Sequence, residues 1–183
     1  EYADKFANAR VFYGYMFSHP GKKLNFMGSE IGQFKEWAFD EGIEYFLLDY
    51  EAHRKFVKFV KKLNAFYKET PALYEIEKSW SGFEWLVADD NTNNVVVYER
   101  ASKDGQKLIA IMNFSGIDLE NYRFGAEKGK YKIVFDSDAV SLGGNGKFKK
   151  RAYSTKNLSS HGKKQSLCID IARLSFVYLL KTE

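Results

Sequence analysis

The chain has 183 residues, 45% of them hydrophobic and 17% aromatic, and a formal net charge of +4. That length and apolar content suit one large domain, or one domain joined to a piece of another. No apolar run approaches the roughly 20 residues needed to span a bilayer, and the opening "EYADKFANAR" lacks the charged-then-apolar order of a secretion signal, so a soluble chain with no membrane partner is expected.

The chain opens at Glu1 already inside a helical pattern, and so reads as a piece cut from something longer. From Ala3 to Ser18 it carries Phe6, Val11, Phe12, Tyr13, Tyr15, Met16 and Phe17, apolar around most of a helical circumference, a pattern that asks for burial on several sides. Pro20 and Gly21 punctuate it, and "LNFMG", residues 24–28, follows as a short buried strand. Beyond that strand come Glu30, Gln33 and Trp37. A second helix is predicted in "YEAHRKFVKFVKKLNAFYKETP", where Phe56, Phe59, Val60, Leu63, Phe66 and Tyr67 recur at helical spacing, and Thr70 and Pro71 end it.

Past residue 78 the period changes from helical to alternating. "FEWLVADD", "NVVVYERAS", "KLIAIMNFS", "GKYKIVFDSD", "QSLCIDIA" and "SFVYLLK" are short, rich in β-branched or aromatic residues, and separated by Asn, Asp or Gly. They predict an antiparallel β-sandwich. The fold class is therefore mainly β: a C-terminal sandwich preceded by a helix–strand–helix piece, with the boundary near residues 72–78. One parallel strand is not a domain, because it needs neighbours on both sides and helices over both faces. The helical piece should accordingly expose apolar surface unless it folds back on the sandwich or self-associates.

The candidate chemistry is local. In a (β/α)8 barrel the residues just past the C-terminal end of a strand form the active-site face, which is where Glu30 would stand. Gly28 would permit the sharp exit and Gly32 a close backbone approach. Trp37 could offer a flat face to a sugar ring, while Glu30 and Gln33 could hydrogen-bond hydroxyls. The plainer alternative is that Glu30 pairs with an arginine or caps a loop and Trp37 is core. Glycoside chemistry needs two carboxylates flanking the scissile bond, and no spacing among Glu30, Glu36, Asp40 and Glu41 picks out such a pair.

Other signals are weaker. His19, His53 and His161 lack metal-ligand spacing, and no nucleotide fingerprint is present, so no metal and no cofactor is expected. "GGNG" at 143–146 lies between strands and does not open a helix, which argues against a phosphate cradle. The basic run 146–164 reads as a solvated loop, not a nucleic-acid patch. Cys168 is the single cysteine, reads as an inert buried thiol, and fits a cytoplasmic protein.

Taken together, "FANARVFYGYMFSHPGKKLNFMGSEIGQFKEW" and "LLDYEAHRKFVKFVKKLNAFYKETPALYE" resemble the C-terminal end of the catalytic barrel of 1,4-alpha-glucan (glycogen) branching enzymes, in the alpha-amylase superfamily. The resemblance continues through "GFEWLVADD", "VYER", "MNFS", "YRFGA", "DSDA" and "GGNG", and so covers essentially the whole chain. It implies that residues 1–71 are the last strand of the barrel with its flanking helices, and 72–183 the C-terminal all-β domain. It implies an alpha-glucan substrate, cut at alpha-1,4 bonds and rejoined at alpha-1,6 branches, and an upstream barrel domain as partner. The family's two aspartates and one glutamate that do the chemistry sit on earlier barrel strands, and none of their motifs is present here, so no catalytic residue is assigned. Glu30, Gln33 and Trp37 match the family's strand-eight loop beside the substrate cleft and are the candidates for substrate binding. The sequence departs from the commoner pattern at Ser29, Ile31 and Phe34, where glycine, phenylalanine and tryptophan are usual. Two rival readings remain: a non-catalytic carbohydrate-binding or structural β-module, and the end of another alpha-amylase superfamily enzyme such as a debranching hydrolase.

Overall fold

The computed structural model describes residues 1–183 except 36 and 37. Among the described residues two α-helices, α1 (Tyr2–Ser18) and α2 (Glu51–Glu69), precede eight strands: β1 (Phe83–Asp90), β2 (Val95–Ala101), β3 (Lys107–Asn113), β4 (Leu119–Ala126), β5 (Lys130–Asp136), β6 (Ala152–Ser154), β7 (Gln165–Ile171) and β8 (Ser175–Lys181). Six strands form one antiparallel sheet in the order β1-β2-β3-β8-β5-β6, and β4 and β7 pair as a second sheet. The predicted mainly-β, sandwich-bearing class is what the chain adopts.

The larger sheet is buried on both faces, and its sequence shows how. Along β3, Leu108, Ala110 and Met112 join one apolar cluster while Ile109 and Ile111 join another. Along β8, Phe176 and Tyr178 alternate in the same way with Val177 and Leu179. The first face packs on Phe6, Val11, Phe17, Phe56, Phe59 and Leu63 of the helices, and the second on Phe124, Leu167, Ile169 and Ile171 of the small sheet. The result is three layers, helices over six strands over two. The helical piece thus folds back on the sandwich.

Close approach is possible where α1 carries Gly14. A methyl group there would land inside the Phe176 ring. The same turn of helix is tied to the sheet by hydrogen bonds: the Tyr178 hydroxyl donates to the Gly14 carbonyl (2.6 Å), and the Ser18 and Tyr98 hydroxyls share another (2.6 Å).

Arg100 fastens the junction. Its guanidinium is fully buried on β2 and donates to the carbonyls of Ser18 (2.6 Å), Gly82 (3.0 Å) and Ile76 (3.4 Å) and to the Glu77 carboxylate (3.3 Å). The end of α1, the connecting segment and the start of β1 are held by one side chain. The Ser18 carbonyl is at the negative end of α1, where a cation is favoured.

Three expectations are corrected. The predicted strand at 24–28 is absent, and Leu24 and Phe26 are exposed, because no strand among the described residues lies beside this segment to form a ladder with it. Cys168 is half-buried, not buried: Leu167, Ile169 and Ile171 take the inward face of β7, and the period of two turns Cys168 outward, its thiol near the Asn121 carbonyl (3.2 Å). Strands β4 and β6 also went unpredicted. The first is broken by a register shift between Leu119 and Tyr122, with Asn121 at φ 56°, and the second is three residues long with only Tyr153 buried.

Gly14→Ala should lower stability by about 1–3 kcal/mol, since the helix or Phe176 must shift to admit the methyl. Urea denaturation followed by far-UV circular dichroism measures this; an unchanged midpoint would mean α1 does not bear on the sheet at this position.

Candidate functional site

The loop that follows Phe26 is shaped by two glycines. Gly28 (φ 81°) and Gly32 (φ 68°) adopt left-handed conformations on either side of a single 3-10 turn, Ser29–Ile31, so the chain reverses sharply, as the sequence predicts for Gly28, while Gly32 lies close against the Phe6 and His53 side chains. Ser29 sits inside that turn, and its hydroxyl donates to the Phe26 carbonyl. Ile31 is buried, and its carbonyl accepts from His53 Nδ1 on α2 (2.6 Å). The other ring nitrogen of His53 accepts from the Tyr2 hydroxyl (2.7 Å), so this fully buried histidine pins the loop between both helices.

This turn puts Glu30 in a cleft of about 390 Å³ against α2, with Asn25, Met27, Val57, Lys61 and Asn64 among its walls. Glu30 has no ion-pair partner among the described residues, so the arginine pairing considered above does not occur there. The cleft therefore combines one carboxylate, one ammonium and two amides over an apolar floor, groups suited to hydroxyls. It holds a single carboxylate where hydrolysis or transfer of a glycosidic bond needs two.

Gln33 points elsewhere. Its Oε1 accepts from the Glu44 amide (3.0 Å), and a side chain at Gly28 would collide with it, so Gln33 cross-links the two halves of the loop. It orders the loop that carries Glu30 and does not line the cleft. Trp37 lies outside the described residues.

Sequence reasoning missed Asn25, Lys61 and Asn64. The two on α2 fall on its polar stripe, which as a sequence is indistinguishable from any solvated face. Asn25 is held by Tyr13, whose hydroxyl donates to Asn25 Oδ1 (2.8 Å). Burial, with a smaller contribution from the Glu30 charge, pushes the Tyr13 phenol up to about 12, against a relieving hydrogen bond from Ser29.

The remaining candidates resolve structurally. The backbone amides of Asn145 and Lys147, within and just after "GGNG", donate to the Asp138 carboxylate (both 2.8 Å), so the loop's donors are spent on an internal anion. Lys147, Arg151 and Lys163 of the basic run pair with Asp118, Asp136 and Glu84. Among the described residues no cluster of His, Cys, Asp or Glu could hold a metal ion, and no helix is long and apolar enough to cross a membrane.

The fold defines a helix-backed antiparallel β-sandwich with one carboxylate, Glu30, on a tight turn beside α2. The chain belongs to the family described as alpha amylase, C-terminal all-beta domain, whose model matches residues 85–182. It is 40% identical over 176 residues to the 1,4-alpha-glucan branching enzyme GlgB of Photobacterium profundum, covering 96% of this chain and 25% of the relative. It is 39% identical to GlgB of Halothermothrix orenii, over 97% of this chain and 29% of the relative, and 39% identical to GlgB of Pseudomonas fluorescens, over 98% and 24%. The chain thus spans about a quarter of the length of these relatives.

Two solved structures share the fold. One is the catalytic module of the glycogen-degrading pneumococcal virulence factor SpuA, with TM-score 0.69 and 12% identity over 100% of this chain and 32% of the other. The second is Ttha1563 from Thermus thermophilus, with TM-score 0.65 and 16% identity over 96% and 31%.

The raised Tyr13 value has a direction in pH. A phenol harder to ionise in the fold than in the unfolded chain contributes stability that is whole below pH 10.0 and is lost as pH rises towards about 12. Tyr13→Phe should cost about 0.5–1.5 kcal/mol at pH 7 through the lost bond to Asn25, and should make the decline between those two pH values shallower. Equal slopes for both proteins in denaturation across that range would show that Tyr13 ionises freely.

Proposed function

We propose that this chain is part of a 1,4-alpha-glucan branching enzyme, with residues 1–71 completing a (β/α)8 barrel and residues 72–183 forming the all-β domain that braces it. The observation that carries the reading is identity of 39% to 40% with three enzymes of that name over nearly the whole of this chain, helices and sandwich alike.

In this reading the parent breaks an alpha-1,4 bond through a covalent glycosyl-enzyme intermediate. It then delivers the held chain to a 6-hydroxyl with the anomeric configuration retained. The nucleophile and the acid/base come from outside these residues, from an upstream barrel domain, and the chain by itself is inactive. Its contribution to the reaction is one wall of the glucan cleft. Glu30 hydrogen-bonds sugar hydroxyls, Gln33 keeps the loop in shape, and Trp37 supplies an indole for a pyranose face. The exposed Phe12, Leu24 and Phe26 are the surface such a barrel would cover. The parent acts in the cytoplasm on alpha-glucan, and needs neither nucleic acid nor membrane.

The protein made from the complete coding sequence should lower the iodine absorbance of amylose and create alpha-1,6 signals in the proton NMR spectrum, while the 183-residue chain should do neither. Glu30→Ala in the longer protein should raise KM for amylose several-fold and leave kcat nearly unchanged. New reducing ends without alpha-1,6 signals would make the parent a hydrolase and overturn the reading. Activity in the short chain would overturn the assignment of the chemistry to other residues.

A further inference from the structure

Two cations sit on consecutive carbonyls at the C-terminal end of α1. Arg100 donates to the Ser18 carbonyl (2.6 Å), and Lys23 Nζ donates to the next one, that of the capping residue His19 (2.6 Å). A single positive charge is favoured at that end of a helix. Two repel, and a like charge nearby favours the neutral form of whichever group can lose its proton. Arginine does not lose one in proteins, so the pressure falls on Lys23.

No opposite charge answers it directly. Glu77 is the carboxylate of this junction, and both of its oxygens are engaged, Oε1 by Arg100 (3.3 Å) and Oε2 by the Gly21 amide. Among the described residues Lys23 forms no ion pair, whereas Lys35, Lys55, Lys107, Lys147 and Lys163 each do. Lys23 is also half-buried, with its Nζ 5.4 Å from the centre of the Tyr67 ring.

The titratable and charged groups that face it are His19 at the end of α1, Tyr67 on α2, Glu77 in the connecting segment and Arg100 on β2. Burial is the largest influence, Glu77 opposes it and Arg100 adds to it, and together they bring the Lys23 ammonium down to about 8. A primary amine is a nucleophile only in its neutral form. Solvent still reaches this one, and the Arg100 guanidinium and exposed Lys22 beside it attract anions. That combination suits an electrophile that is small and negatively charged.

We propose that Lys23 is a modification site, the amine of this chain that a small acyl phosphate acylates in preference to its other lysines. The neutral Nζ attacks the acyl carbon, the bond from that carbon to the phosphate oxygen breaks, and phosphate leaves with the electron pair. The surplus proton on nitrogen passes to water. The product is an uncharged amide whose N–H can still donate to the His19 carbonyl, and one of the two repelling charges is gone. None of this rests on the branching-enzyme reading.

The test is brief treatment of the 183-residue chain with acetyl phosphate, read by mass spectrometry with fragment ions that separate Lys23 from its neighbour Lys22. Near neutral pH Lys23 should be acetylated about tenfold faster than Lys22, less than its gain in neutral amine because a less basic amine is a weaker nucleophile. Its rate should level off above about pH 8, and the preference should vanish in the urea-unfolded chain. Lys23→Arg should remove the fast phase and leave the labelling of the other lysines unchanged. Equal rates at the two lysines in the folded protein, or a preference that persists in urea, would overturn the proposal. So would a Lys23 that reacts in this chain but stays unlabelled in the protein made from the complete coding sequence, since other segments would then cover the site.

Discussion

The six-stranded sheet can be apolar on both faces because two helices lie across one of them, and those helices are fastened at the C-terminal end of α1 by the guanidinium of Arg100. A fully buried arginine loses several kcal/mol of hydration, which is offset only when nearly every donor is used. Here three carbonyls and the Glu77 carboxylate accept from it, and they belong to the end of α1, the connecting segment and the turn before β1. Satisfying one charge therefore fixes three pieces of backbone relative to β2. Tyr98 and Tyr178 extend the same logic across the sheet, each offering an apolar ring to the helices and a hydroxyl to Ser18 or Gly14.

Both candidate sites follow from that junction. The Glu30 cleft exists because α2 is pressed against the sheet and His53 ties the loop to it; the Lys23 amine is pressed toward neutrality because Arg100 holds the carbonyl next to its own. Stability and site geometry are supplied by the same contacts.

Much of this was legible in the sequence. The period of α2, the strands β1, β2, β3, β5, β7 and β8, and the glycines flanking Glu30 each follow from a local rule whose residues act on their nearest neighbours. What was not legible depended on distant partners. "LNFMG" reads as a strand, but a strand is a pairing, and no residue within the segment says whether a neighbour is present. Arg100 sits in "VVVYERA" as one charge at the end of an apolar run, and nothing local marks it as the most enclosed cation in the fold. Gln33 was placed in the right loop and could be read either as a ligand contact or as a brace; only the position of the Glu44 amide, eleven residues on, separates the two. Lys23 stands beside Lys22 in "PGKK" and carried no pattern, since what sets it apart is the carbonyl it reaches and the arginine on the next one.

The central claim is that helices and sandwich share one core and open together, although they would belong to two parts of a larger enzyme. Native-state hydrogen exchange in increasing urea tests it directly. The account predicts that the amides of Phe59 and Leu63 in α2 and of Ile109 and Ile111 in β3 converge on one opening free energy, equal to that of global unfolding. Helical amides that exchange through a separate, lower-energy opening while β3 stays protected would contradict it and leave the sandwich standing alone.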